Sequence, residues 1–182
     1  MPFGQLAERE LFRGMFRLVE AEFESPSGEQ FTRTFVRHPG AVGIVAIDEG
    51  DDGDVAILVR QFRPALGTEL LEIPAGTLDK MGEPPADCAR RELAEEAGVT
   101  ARHWEHLLTY AVASGISDEL LHLYLATGLQ FGERAADGIE EGAMTVERIA
   151  LDDVVPAIAD GRLADAKTII GLLLARDRRA AS

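Results

Sequence analysis

The strongest constraint on the fold of this 182-residue chain is a single amphipathic helix, predicted at Ala86–Ala97, with strands before and after it. Pro84 and Pro85 suit a first helical turn, and Gly98 stands where a left-handed residue commonly ends a helix. The apolar side of such a helix has to be covered by another element, and the flanking strands predict that this element is a sheet.

Strands are predicted on both sides of the helix. In residues 15–24, Val19, Ala21 and Phe23 alternate with glutamates, which indicates a half-buried strand, and the turn at 25–29 leads to a returning strand at 31–36. Further strands are predicted at 42–47, 55–59, 106–112, 120–126 and 145–150, and two helices at 151–160 and 165–178. We therefore expect an α+β fold, an α/β/α sandwich with a mixed sheet, preceded by a small antiparallel β unit. Residues 1–38 would form that unit, and residues 39–182 the main domain.

Charge and cysteine content narrow the function classes. The net charge of −14 argues against nucleic-acid and membrane-surface partners, so an anionic substrate would need a divalent cation. The lone Cys88 argues against a disulfide framework. The first residues lack the pattern of a signal peptide, and the longest apolar run, 169–175, is too short to span a bilayer. We expect a cytoplasmic protein.

Three glutamates of the predicted helix form an acidic cluster. Glu92 stands three positions before Glu95 and four before Glu96, so their carboxylates share about one third of the helix circumference. Like charges at this spacing are unfavourable, and carboxylate oxygens are the ligands that Mg²⁺ or Mn²⁺ prefers. A solvated acidic face, with Arg91 paired to Glu95, is the alternative that the cluster alone leaves open.

The spacing around the cluster favours the metal-binding interpretation. Glu83 is followed after seven residues by Arg-Glu-Leu-Ala-Glu-Glu-Ala-Gly-Val, which begins at Arg91. This segment resembles the Nudix box, in which a glycine, five residues, a glutamate and seven residues precede Arg-Glu-apolar-x-Glu-Glu-x-Gly-apolar. Here six residues separate Gly76 from Glu83, and the extra residue falls in the loop before the helix.

The resemblance implies a divalent cation, Mg²⁺ or Mn²⁺, that bridges a substrate pyrophosphate. It implies that Arg91 orients a glutamate and that Glu83 either lies outside the direct cation ligands or accepts a hydrogen bond at the start of the helix. The implied cation ligands are three carboxylates and one main-chain carbonyl: Glu92, Glu96, Glu95 (directly or through water, and also counted as catalytic) and Ala75.

Beyond the box, the chain is similar to the ADP-ribose pyrophosphatase branch of this family. The similar segments are 36–42, 59–64, 71–76, 115–119 and 165–169. Enzymes of this branch are homodimers in which the N-terminal strands pack against the partner and help to enclose the adenine. The resemblance therefore implies a homodimer; a hairpin that merely extends the monomer's sheet is the alternative.

Three residues are implied to bind the substrate. Arg63 matches a position that contacts the phosphates or the terminal ribose, and Arg37 is a second candidate for that task, since a guanidinium can donate two parallel hydrogen bonds. Glu72 would accept from the nucleoside. Surface ion pairs for the arginines and a structural hydrogen bond for Glu72 are the alternatives.

The general base is implied to lie in a loop between the late strands, at residues 137–144. Glu141 is the preferred candidate, Glu140 the second, and Glu119 a fallback acid.

The implied function is hydrolysis of ADP-ribose to AMP and ribose 5-phosphate. Members that prefer this substrate usually carry a proline sixteen residues after the last box glycine, where this chain has Ser114. Hydrolysis of another nucleoside diphosphate sugar, such as an ADP-hexose or GDP-mannose, is therefore an alternative. A nucleoside triphosphate substrate and a non-catalytic, nucleotide-sensing domain are the remaining ones.

Overall fold

The described chain, residues 2–50, 53–134 and 142–180 of a computed structural model, divides into two compact units. The first comprises the chain up to Gly40 together with Thr109–Leu121. The second comprises Ala41–Leu108 and the chain from His122 onward.

The first unit contains an antiparallel three-stranded sheet, ordered β1 (Gly4–Arg13), β2 (Arg17–Glu24) and β3 (Gln30–Arg37). Val19 and Ala21 of β2 are buried, as the alternation predicted. The predicted hairpin is therefore confirmed as β2 and β3, and β1 is an additional strand.

β1 was not predicted because it has no buried face. All ten of its residues are exposed, so apolar and charged side chains follow each other without the alternation that marks a half-buried strand. Leu11 and Phe12 are about half exposed, at 44% and 58%. This strand therefore leaves an apolar surface on the first unit.

The larger sheet runs in the order β10-β5-β4-β9-β8 within the described residues, with β6 paired to β5 and β7 paired to β4. β5 is antiparallel to β4, β6 and β10. Its strands are β4 (Ala41–Asp48), β5 (Val55–Arg63), β6 (Thr68–Glu72), β7 (Ala75–Thr77), β8 (Val99–Ala111), β9 (Leu120–Phe131) and β10 (Thr145–Ala150).

The first helix of the second unit is α1 (Pro85–Ala97), which the sequence placed within one residue. Its buried residues Ala89 and Leu93 pack in one cluster with Ile44 of β4. Gly98 ends the helix in the left-handed region, at φ 66°, and its N–H donates to the carbonyls of the last turn.

Two further helices follow the sheet: α2 (Val154–Ala159), after a 3₁₀ turn at Leu151–Asp153, and α3 (Ala166–Ala180). In α3, a Cβ on Gly171 would lie 2.6 Å from Val45 of β4, so a glycine is needed for the close approach of helix and sheet. Val45 alternates along β4 with residues that pack against α1, so α1 and α3 cover opposite faces. The predicted α+β sandwich is confirmed. None of the described helices is long and apolar enough to cross a membrane.

Candidate active site

The acidic cluster lies on the side of α1 that faces β7. Glu92 and Glu96 are buried, whereas Glu95 is half-buried. The main-chain N–H of Ala75 donates to Glu96 Oε2 at 3.0 Å. The short strand β7 therefore holds one of the carboxylates in place through its backbone.

Gly76 makes room for the other buried carboxylate. A Cβ at this position would lie 2.0 Å from Cδ and 2.1 Å from Oε1 of Glu92. No side chain fits there without displacing Glu92, because non-bonded carbon atoms pack at about 3.5–4.0 Å. This close approach is a physical reason for a glycine before the acidic helix.

Arg91 connects the glutamates around it. Its Nη1 donates to Glu92 Oε1 at 2.7 Å and to Glu95 Oε2 at 2.8 Å, and its other nitrogens form two bonds to Glu83 at 3.0 and 2.9 Å. The hydrogen bonds to Glu83 are the main cause of the raised pKa of Arg91, and they lower the pKa of Glu83. Arg91 thus fixes the orientation of the carboxylates.

Arg63 and Glu72 form a second charged group, at the ends of β5 and β6. Arg63 donates from Nε and Nη2 to the two carboxylate oxygens of Glu72, at 2.7 and 2.6 Å. The Glu72 side chain is buried, whereas that of Arg63 is 40% exposed. Burial opposes ionisation of Glu72, but its bonds to Arg63 and to Lys167 hold its pKa below the ordinary value.

The start of α3 completes this group. Lys167 Nζ forms an ion pair with Glu72 Oε2, and it lies 3.1 Å from Asp165 Oδ2. Asp165 also accepts from the main-chain N–H of Thr168 at 2.9 Å, as a helix-capping residue does. The hydroxyl of Thr168 accepts from the N–H of Ile73 at 2.9 Å, which joins α3 to the residue after β6.

Arg37 and Glu119 lie in the first unit. Arg37 Nε and Nη2 donate to Glu8 Oε2 at 3.1 and 2.6 Å, and Nη1 donates to Asp118 Oδ2 at 2.9 Å. Every guanidinium nitrogen of Arg37 therefore faces a carboxylate. Glu119 Oε1 lies 3.8 Å from His38 Nδ1.

Two candidates for the general base, Glu140 and Glu141, lie outside the described residues. Ser114, which replaces the usual proline, lines an apolar groove of the first unit together with aromatic side chains such as Phe23 and Phe35.

The donor set of the acidic helix fits a divalent cation chemically, because carboxylate and carbonyl oxygens are the ligands that such ions prefer. Among residues 2–50, 53–134 and 142–180, no three His, Cys, Asp or Glu side chains converge as a metal site would require. Arg91 bonds one oxygen each of Glu92 and Glu95, so its positive charge already balances part of theirs.

An acidic helix is seated on a mixed sheet, and a half-exposed arginine lies on one of the strands of that sheet. Carboxylate oxygens suit a cation and a guanidinium suits an anion, so the arrangement is chemically able to hold both. The family model described as "NUDIX domain" matches residues 37–170, and the chain therefore belongs to the Nudix family. The resemblance drawn from the box residues is confirmed.

Two relatives cover most of the chain. It is 38% identical over 172 residues to an "ADP-ribose pyrophosphatase" of Mycobacterium tuberculosis, which covers 94% of this chain and 82% of that protein. It is 37% identical over 164 residues to a "Methanol dehydrogenase activator" of Bacillus methanolicus, with coverages of 90% and 86%. Among solved structures, an "ADP compounds hydrolase" has the same fold, with a TM-score of 0.83, 20% identity and coverages of 100% and 96%.

Two residues beside the candidate site were not selected from the sequence. Cys88 is buried on α1, 4.0 Å from Glu92 Oε1, and burial is the main reason why its pKa is raised to about 12. Lys167 lies within the similar segment at 165–169, but nothing in that segment indicates its contact with Glu72, 95 residues away.

Proposed function

We propose that this chain hydrolyses the pyrophosphate bond of ADP-ribose to AMP and ribose 5-phosphate, with Mg²⁺ or Mn²⁺ as cofactor. Water attacks one phosphorus, the bridging P–O bond breaks, and the proton of the water passes to a carboxylate base. The similarity to the M. tuberculosis ADP-ribose pyrophosphatase supports this choice of substrate.

The observation that carries the proposal is the pair of buried carboxylates on α1. Glu92 is packed against Gly76, and Glu96 accepts from the N–H of Ala75. Burying a carboxylate is unfavourable unless it is hydrogen-bonded and balanced by positive charge. Two such groups on one helix face therefore favour a role in cation binding over a solvated acidic surface.

The proposed cation ligands are Glu92, Glu96, the main-chain carbonyl of Ala75 and, directly or through water, Glu95. When bound, the cation supplies positive charge that neutralises the diphosphate oxygens and polarises the phosphorus. The chain itself supplies orientation: Arg91 and the backbone of β7 hold the carboxylates in fixed positions.

Arg63, Glu72 and Arg37 are proposed to bind the substrate. Arg63 uses Nε and Nη2 for Glu72, and its Nη1 donates to no described residue, so the exposed edge of the guanidinium can donate to a phosphate. Arg37 would have to exchange Glu8 or Asp118 for a phosphate, which makes it the second candidate.

Glu141 is proposed as the general base that takes the proton of the attacking water, with Glu140 and then Glu119 as the alternatives. A carboxylate can do this only within hydrogen-bond reach of the water.

We also propose a cytoplasmic homodimer formed through the first unit. The exposed strand β1 supports the dimer, because in the described chain it pairs with β2 along one edge only, and an edge strand with apolar side chains is a surface that a second copy can cover. Equilibrium sedimentation tests it: deletion of β1 should convert a dimer to a monomer.

A product assay tests the proposed function. Purified protein with Mg²⁺ is offered ADP-ribose, ADP-glucose, GDP-mannose and a nucleoside triphosphate, and EDTA serves as the control. Preferential release of AMP and ribose 5-phosphate is expected, and activity that persists in EDTA would contradict the cofactor assignment.

Two outcomes would favour the other candidates. Preference for a hexose conjugate would indicate that Ser114, in place of proline, accompanies a different sugar. Binding without turnover would favour a regulatory domain, a candidate supported by the similarity to the B. methanolicus activator.

A further inference from the structure

The buried carboxylate of Glu72 is shared between two cations from different parts of the chain. Arg63, at the end of β5, bonds both of its oxygens, and Lys167, in the first turn of α3, forms an ion pair with Oε2. Both Glu72 and Lys167 are largely removed from solvent, with 1% and 12% of their side chains exposed. Arg63 is therefore the partner that faces solvent.

Sharing Glu72 changes what Arg63 can offer to a ligand. If Arg63 were the only partner of Glu72, the buried carboxylate would neutralise the charge of Arg63. A phosphate would then have to compete with Glu72 for the guanidinium. Because Lys167 pairs with Oε2 as well, Glu72 is held from a second side, and Arg63 is not the only group that keeps this carboxylate in place. Asp165 also pairs with Lys167, so the two cations and two carboxylates of this group balance, and the role of Lys167 is to hold Glu72 rather than to add net charge.

The geometry also leaves one edge of the Arg63 guanidinium, the edge that carries Nη1, available to a ligand. A bidentate bond through Nε and Nη2 fixes the plane of the guanidinium, and Nη1 donates to no described residue. The negative charge of Glu96 is one of the smaller contributions that raise the pKa of Arg63, after its hydrogen bond to Glu72. The charge of Glu96 on the acidic helix therefore acts on Arg63.

Lys167 is itself held in place by the start of α3. Its Nζ lies 3.1 Å from Asp165 Oδ2, and the same carboxylate oxygen accepts from the N–H of Thr168. The lysine is therefore bonded on one side to the helix cap and on the other side to Glu72.

We infer that Lys167 is a positioning residue for substrate binding: it holds Glu72, which in turn directs the exposed edge of Arg63 toward the substrate diphosphate. This inference rests on the proposed function, since it assigns Arg63 to a phosphate. Lys167 does not touch the substrate; its effect passes entirely through Arg63.

A double-mutant cycle tests this coupling, with Lys167→Met, Arg63→Met and the double variant. The readout is the dissociation constant of a non-hydrolysable methylene-bridged analogue of ADP-ribose, measured by calorimetry with Mg²⁺, which requires no turnover. Arg63→Met is expected to weaken binding about 10- to 100-fold, the value of a charge-assisted hydrogen bond. Lys167→Met is expected to weaken it about 5- to 10-fold, and by less than about 2-fold when Arg63 is already Met.

Steady-state kinetics with Mg²⁺ separate positioning from general damage. Lys167→Met should raise KM while kcat stays within about 2-fold, and Lys167→Arg, which keeps the charge, should recover most of the lost affinity. Arg162→Met is the matched control: it removes a cation before α3 whose ion pair, among the described residues, is with Asp160, so KM should not change. Thermal melting of each variant shows whether it is folded.

The outcomes for the inference and for the proposed function are distinct. The inference would be overturned if Lys167→Met weakened binding by the same factor in the wild type and in the Arg63→Met variant. An unchanged KM of Lys167→Met would overturn it as well. A wild-type chain that binds ADP-ribose but does not hydrolyse it would refute the proposed function and leave the coupling measurable. A wild-type chain that does not bind ADP-ribose would refute both.

Discussion

Replacing Gly76 with alanine should move a carboxylate of the acidic helix and little else. The new Cβ would lie 2.0 Å from Glu92 Cδ, whereas ordinary contact begins at 3.4 Å, so the carboxylate has to shift by about 1.4 Å. A misplacement of about 1 Å at a catalytic group can lower the rate about 100-fold. We therefore expect kcat/KM for ADP-ribose to fall about 100-fold, which corresponds to about 2.7 kcal/mol of transition-state stabilisation.

The assay for Gly76→Ala is hydrolysis of ADP-ribose with Mg²⁺, beside a thermal melt. Gly4→Ala is the control, because its Cβ meets nothing within 4 Å. In a Glu92→Ala background, which lacks the Cγ, Cδ and Oε1 atoms that the new Cβ would meet, Gly76→Ala should lower the melting temperature less than in the wild type. A Gly76→Ala variant with wild-type kcat/KM would refute the proposal that the close contact between Gly76 and Glu92 holds a catalytic carboxylate in place.

Three further predictions concern single carboxylates. Glu96→Gln should abolish turnover while the far-ultraviolet circular dichroism stays unchanged, and full activity would contradict the cation assignment. Glu141→Gln should lower kcat with the Mg²⁺ affinity preserved in a calorimetric titration; an unchanged kcat would move the base to Glu140. Burial opposes ionisation of Glu72, yet its two cationic partners hold its pKa below the ordinary value of 4.5. A lowered folded pKa means that ionised Glu72 stabilises the protein above about pH 4.5 and that this contribution is lost as the pH falls through the folded pKa. Urea unfolding should therefore show the advantage of wild type over Glu72→Gln shrinking below that pH; a constant difference would contradict it.

Local patterns predicted the elements whose residues carry their own signal. α1 was predicted to within one residue because apolar spacing, two prolines and Gly98 all act within the segment. β7 was missed because three residues are too few for a periodic pattern, although this strand contacts the acidic helix. β1 was missed because none of its residues is buried.

The candidate site was predictable where its residues are neighbours in the sequence. The spacing of Glu92, Glu95 and Glu96 places them on one helix face without any tertiary information. The contact of Lys167 with Glu72 depends on how α3 packs, which the residues around either group do not reveal. The same holds for the close approach of Gly76 to Glu92, where a Cβ would lie 2.0 Å from Cδ, since it is set by the approach of β7 to α1.

The bond between Ile73 and Thr168 has a consequence for biosynthesis. The ribosome makes β6 and β7 before α3. The N–H of Ile73 therefore emerges before its acceptor, the hydroxyl of Thr168, which is 95 residues further along the chain. Until then, water can satisfy this amide, because α3 both packs against Ile73 and supplies the acceptor. The segment between β6 and β7 therefore gains this anchor only after α3 has been synthesised. A fragment that ends at Asp160 would contain every glutamate of the acidic helix and still lack the partners that α3 gives to Ile73 and Glu72.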